Sequence, residues 1–95
     1  MKIKIESLGL PALAKIIGKK AEIDLPGGTV SDLIAYLVKR HGRPVQKALL
    51  DNDGNLDLTI QVMLNAEGIL NRDQYSQRVL KDGDKVIFMI LVGGG

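Results

Sequence analysis

A chain of 95 residues with 45% hydrophobic and 25% charged side chains holds one domain with a single modest core, and its composition is that of a folded protein. The net charge of +2 comes from scattered basic residues, and only Tyr36, Tyr75 and Phe88 are aromatic. There is thus neither the basic stripe nor the stacking platform of a nucleic-acid binder, and no nucleic-acid partner is expected. Cysteine is absent, which excludes disulfides, thiol catalysis and cysteine metal sites and suits the cytoplasm. The charged, alternating start is unlike a signal peptide, and no apolar run approaches the ~20 residues that span a bilayer, so a cytoplasmic protein with no membrane partner is expected.

Ile3 and Ile5 alternate with Lys2, Lys4 and Glu6, the period of a half-buried strand. Residues 9–20 form a connection containing Pro11 and Gly18, in which Leu13, Ile16 and Ile17 make either a short helical turn or an apolar loop. Residues 21–25 alternate again, and Pro26-Gly27-Gly28 ends that second strand. Thr29 and Asp32 then form an Asp variant of the capping box. Val30, Leu33, Ile34, Leu37 and Val38 follow as one apolar stripe. Lys39, Arg40 and His41 fill the last turn before Gly42, so the main helix spans about residues 30–41.

Pro44 permits a shorter helical segment through Leu50, and residues 51–55 are a turn by composition. A third strand covers residues 58–65, with Ile60, Val62 and Leu64 on one face, and a short edge piece follows at Ile69 and Leu70. Residues 71–79 are polar and irregular, and Leu80-Lys81-Asp82-Gly83-Asp84 turns the chain into a last strand over residues 85–92. Two strands, a helix, then two or three strands give an α+β domain of the ubiquitin-like β-grasp type. Its mixed sheet has four or five strands, with one main helix packed on one face. The domain covers residues 1–92, and residues 93–95 form a flexible glycine tail.

Val86 to Val92 contains no polar residue, although a strand with one wet face should alternate. One long helix covers only one side of the sheet. Val86, Phe88 and Ile90 are assigned to the helix side, leaving Ile87, Met89 and Leu91 on the open side. Either residues 8–20 or 44–56 fold over that side, or it is a partner-docking surface, since large apolar areas seldom stay wet.

Three glycines, Gly93, Gly94 and Gly95, follow the last strand. A segment without Cβ atoms can thread a narrow channel and present a main-chain carboxylate to another enzyme's active site. With that tail, three motifs in order and spacing carry a family likeness: Gly28-Thr29-Val30-Ser31-Asp32-Leu33-Ile34, Leu64-Asn65-Ala66-Glu67-Gly68, and Leu80-Lys81-Asp82-Gly83-Asp84-Lys85-Val86. On them the chain resembles the MoaD/ThiS family of ubiquitin-like sulfur carriers. Its length and Lys47-Ala48-Leu49-Leu50-Asp51 look most like the molybdopterin synthase small subunit. Two departures are the stretch Met89-Ile90-Leu91, where that family commonly has an aromatic and prolines, and Asn65-Ala66-Glu67-Gly68 in place of an Asn-Gly turn.

The resemblance implies a carrier without catalytic residues of its own. A ubiquitin-activating-type partner enzyme adenylates the Gly95 carboxylate with ATP, and a sulfur donor converts it to a thiocarboxylate. The tail, with Gly93 and Gly94 threaded into a second partner, delivers the sulfur. That acceptor is the molybdopterin synthase large subunit in molybdenum or tungsten cofactor synthesis, or else another sulfur-accepting enzyme in thiamine, cysteine or tRNA thiolation. A protein modifier joined to lysines, or a β-grasp interaction module in which the tail is incidental, are the alternatives.

No other motif carries chemistry. His41, the sole histidine, suits the negative end of the helix dipole. Asp51, Asp53 and Asp57 lack the glycine position and final glutamate of a calcium loop. With no nucleophile–base pair and no metal cluster, neither intrinsic catalysis nor a metal or cofactor held by the chain itself is expected.

Overall fold

The computed structural model describes residues 1–90; Leu91 and Val92, with Gly93, Gly94 and Gly95 beyond them, lie outside the described residues. The alternating start forms β1 (Lys2–Leu8), with Ile3, Ile5 and Ser7 buried and Lys2, Lys4 and Leu8 exposed. The connection that the sequence left open is a helix, α1 (Pro11–Ile17), begun by a proline at a position whose N–H needs no helical partner. β2 (Lys20–Asp24) follows.

Main helix α2 (Val30–His41) starts on the capping box read from the sequence. The Asp32 N–H donates to Thr29 Oγ1 at 3.4 Å, and the Thr29 N–H donates to Asp32 Oδ2 at 2.9 Å. Gly42, with φ +74, separates α2 from α3 (Arg43–Leu49). β3 (Ile60–Leu64), a 3-10 turn (Arg72–Tyr75) and β4 (Lys85–Ile90) complete the order.

The four-stranded sheet runs β2-β1-β4-β3. Its central pair, β1 and β4, is parallel, and each outer strand is antiparallel to its neighbour. All three helices bury apolar residues in one cluster on the same side: Leu13 from α1, Val30, Leu33 and Leu37 from α2, and Val45 and Leu49 from α3. These pack with Ile3, Ile5, Val62, Leu64, Val86 and Phe88 of the sheet. The mixed sheet with its helices is the α+β, β-grasp arrangement expected.

Some boundaries differ from the sequence reading. β3 begins at Ile60 rather than residue 58, because Asp57 accepts hydrogen bonds from the Thr59 N–H at 2.9 Å and its hydroxyl at 2.7 Å. That turn holds Leu58 outside the sheet, 76% exposed. The edge piece is a single bridge, Met63 to Ile69. The segment read as irregular contains Tyr75, which is buried in the core, and Arg72 above its ring donates to the carbonyls of Leu56 and Asp57.

Candidate functional site

The register assigns every sheet residue to a face. Val86 and Phe88 lie on the helix side with no exposure, as assigned from the sequence. Ile87 stands between Glu6 and Met63, and Met89 between Leu8 and Gln61, on the opposite face. Residues 8–20 and 44–56, the possible covers of that face, instead place Leu13, Val45, Leu49 and Leu56 in the helix-side cluster. Among the described residues, the open face of the sheet therefore has no helix over it.

This face has two halves. Toward the start of β1 it is charged: Lys4 pairs with Glu22 and Lys85, and Glu6 lies 3.6 Å from Lys20 Nζ and 3.7 Å from Lys85 Nζ. Toward the end of β4 it is apolar. Leu8 is 50% exposed, Ile69 is 51% exposed, and Met89 and Met63 are half-buried beside them. Ile87 is 8% exposed, enclosed by its strand neighbours, so the surface offered to solvent is carried by Leu8, Met63, Ile69 and Met89. Leu91, also assigned to this side from the sequence, lies outside the described residues.

Sequence reading missed Leu8, Met63 and Ile69. Leu8 was hidden because Ser7-Leu8-Gly9 reads as a strand end, yet its parity with Lys4 and Glu6 was available. Met63 lies between the apolar positions Val62 and Leu64, where its parity marked it as outward-facing. Ile69 was unreadable without the bridge to Met63.

The end of β4 is the second part of the site. Ile90 is paired with Ile60, the first residue of β3, and β1 gives its last partner, Leu8, to Met89. Strand pairing on β4 thus ends at Met89 on the β1 side and at Ile90 on the β3 side. β1 then leaves the sheet through Gly9 (φ +69) into Leu10, the cap of α1. Ile90 has the helix-side parity assigned from the sequence but is 39% exposed, because it lies at the margin of the sheet. Gly93, Gly94 and Gly95, the tail of the sequence reading, follow it outside the described residues.

The base of β4 is fixed by polar contacts at its other end. Asn65, at φ +53, donates through Nδ2 to Asp84 Oδ1 and accepts from the Lys85 N–H. Asp82 accepts from the Lys2 N–H, so the Asp-Gly-Asp turn ties the starts of both central strands together.

Elsewhere the titrating groups serve structure. The Arg78 guanidinium, 2.7 Å from Glu67, holds that carboxyl below its ordinary value, and Glu67 in turn raises Arg78. Hydrogen bonds from Thr59 lower Asp57. Burial raises the Tyr75 phenol against smaller opposing effects of Arg72 and the Val62 backbone. Among the described residues the hydroxyl has no hydrogen-bond partner. Asp51 spends one carboxylate oxygen on the N–H groups of Asp53 and Asn55, closing its own loop. Among the described residues there is no group of three or more metal-ligating side chains, and no helix is long and apolar enough to cross a membrane.

Residues 12–95 match the model of the ThiS family. No curated protein matches the chain in sequence. Among solved structures, the small archaeal modifier protein 1 of Haloferax volcanii superposes with a TM-score of 0.73 at 22% identity, over 96% of this chain and 98% of its own. A putative molybdopterin converting factor, subunit 1, from Pyrococcus furiosus gives 0.66 at 27% identity, over 97% of this chain and 99% of its own. A chain of the Amycolatopsis orientalis BexX/CysO complex gives 0.63 at 22% identity, over 98% and 99%.

Proposed function

The chain belongs to the ThiS family, and from that premise we propose that it is a sulfur carrier whose working group is the Gly95 carboxylate. The observation that carries this reading is the extent of the family match, which runs through residue 95 and so includes the glycine terminus. The sheet supports it. β4 leads directly toward that terminus, and the same strand helps build an apolar face with no helix over it.

A carboxylate is a poor electrophile. In the proposed reaction the Gly95 carboxylate attacks the α-phosphorus of ATP on a ubiquitin-activating-type partner. Pyrophosphate leaves, and a mixed acyl–AMP anhydride forms. Hydrosulfide from a sulfur donor then attacks the acyl carbon and AMP departs, leaving a terminal thiocarboxylate that a second partner consumes. This chain supplies no acid, base or metal to either step. It supplies the carboxylate, the Gly93-Gly94 arm that threads to it, and a docking surface of Met89 and Leu91 extended by Leu8, Met63 and Ile69, with Ile87 enclosed beneath it.

Molybdopterin synthesis is the acceptor pathway we favour, supported by the 27% identity over nearly the full length of the putative molybdopterin converting factor subunit. The test is intact-mass measurement after incubation with the cognate activating enzyme, ATP and a sulfur donor, followed by addition of molybdopterin synthase large subunit. Replacement of one Gly95 oxygen by sulfur, and its discharge on the large subunit, is expected. No sulfur incorporation refutes the carrier reading. Incorporation without discharge moves the acceptor to another thiolation pathway. Glycine remnants on lysines of other proteins would identify a modifier.

A further inference from the structure

Gly9 ends β1 at φ +69, a left-handed conformation that glycine adopts without steric cost. A Cβ built on it would lie 2.8 Å from Ile90 Cγ2, well inside the distance at which two carbons pack. Ile90 is the residue from which the terminal segment departs. Its β-branched side chain is stiff at χ1, so the methyl cannot swing aside without an unfavourable rotamer or a shift of the strand. On its other flank Ile90 pairs with Ile60, which is 3% exposed. The end of β4 is thus seated between a buried isoleucine and the bare Cα of Gly9. Gly54 provides the contrast: its φ is +84, and nothing lies within 4 Å of the place a Cβ would take.

We infer that Gly9 is a positioning residue for the carrier reaction: its missing side chain seats Ile90, and that seat sets the point in the sheet from which the chain is offered to the adenylating site. The inference rests on the sulfur-carrier reading. Gly9 acts through Ile90 and has no contact with the reacting carboxylate. The docking residues Leu8, Met63, Ile69 and Met89 share the opposite face, so a displaced Ile90 alters how a docked carrier presents its terminus rather than whether it docks. A misplacement of ~1 Å at a reacting centre lowers rate on the order of a hundredfold.

The experiment measures thiocarboxylate formation by intact mass with one activating enzyme, ATP and a sulfur donor, varying carrier concentration. The carriers are wild type, Gly9→Ala, Gly54→Ala, Ile90→Ala and the Gly9→Ala/Ile90→Ala double variant. Gly9→Ala is expected to lower kcat on the order of tenfold to a hundredfold with KM little changed. Gly54→Ala, strained in φ but unobstructed, should behave as wild type. In the Ile90→Ala background, where the contacting methyl is gone, Gly9→Ala should have little further effect.

Equal losses in Gly9→Ala and Gly54→Ala, or a full Gly9→Ala loss persisting without the methyl, overturn the inference. If Gly9→Ala does not fold, Ile90→Ala decides alone: lost seating must lower kcat, and an unchanged kcat overturns the proposal. A wild-type carrier that is never charged removes the sulfur-carrier reading and this inference together. A charged wild type with an unimpaired Gly9→Ala removes only the role of Gly9.

Discussion

Leu8→Asp separates docking from folding. Leu8 is 50% exposed at the end of β1, beside Met89 in register, and nothing in the core depends on it. Fully burying a leucine contributes ~1.5–3 kcal/mol, so a partner covering the half still exposed gains ~1 kcal/mol from it. Aspartate forfeits that gain and places a further carboxylate on the face that already carries Glu6 and Glu22. Enclosing an unpaired charge in an interface costs a few kcal/mol more, even after relaxation. The combined loss is ~3 kcal/mol or more, about a hundredfold in Kd for the activating enzyme. In the free domain the change costs strand propensity only, ~1 kcal/mol at most, or roughly 4–8 °C in Tm for a domain of this size. Isothermal titration against the activating enzyme and thermal melts of the free carrier measure the two quantities. Leu58→Asp is the control, since Leu58 is 76% exposed and lies outside the sheet. Binding of Leu8→Asp within about threefold of wild type, or equal weakening by Leu58→Asp, refutes the assignment of the face.

Two further outcomes concern the scaffold. Thr29→Ala removes one arm of the capping box that starts α2 and should cost ~1 kcal/mol in denaturant unfolding with an unchanged slope; no loss would mean that burial of Val30, Leu33 and Leu37 sets the helix start unaided. Tyr75→Phe removes a buried hydroxyl that has no partner among the described residues, so stability at neutral pH should stay level or rise by up to ~1 kcal/mol. The phenol is raised above its ordinary 10.0 in the folded state. Its contribution is therefore fully present below pH ~10 and is lost as pH climbs through the higher folded value, because the unfolded chain releases the proton first. Tyr75→Phe should flatten that alkaline fall in urea midpoints, and an unaltered slope would show that another group causes it.

The elements legible in the sequence were those with one dominant local cause. The α2 boundaries followed from a stripe, a cap and a basic last turn before glycine, and all three agree in the structure. β1 and β4 followed from alternation and from the Asp-Gly-Asp turn. Elements decided by tertiary contact were harder to read. α1 has only seven residues, too few to stand alone, and forms because Leu13 reaches the core. Tyr75 sits in a polar stretch and is buried because Arg72 pins the turn to the Leu56 and Asp57 carbonyls. The candidate site divides in the same way. The parity of Ile87 and Met89 was assigned from the turn before β4, since the strand itself has no polar residue between Val86 and Val92. Leu8 and Ile69 join that face only through pairing with β4 and with Met63, and the approach of Gly9 to Ile90 is a contact between segments distant in the chain.

One strand serves three purposes through its alternation. Val86 and Phe88 anchor β4 in the core, while Ile87 and Met89 lie on the opposite face, where the proposed partner docks. Because β4 is central in the sheet, a partner seated over Met89 and Leu8 contacts the most firmly held element of the domain. The next residue, Ile90, is then fixed to within one strand step, ~3.3 Å. From Ile90, residues 91–95 at ~3.3–3.6 Å each reach at most ~18 Å. An enzyme that uses Gly95 must bring its reacting atom within that distance of the end of β4 while covering the apolar half of the face. Docking and presentation are thus coupled by covalent geometry, and the entropy of finding the active site is largely lost at the docking step. This is why side chains on the open face should govern KM, whereas the seating of Ile90 should govern kcat.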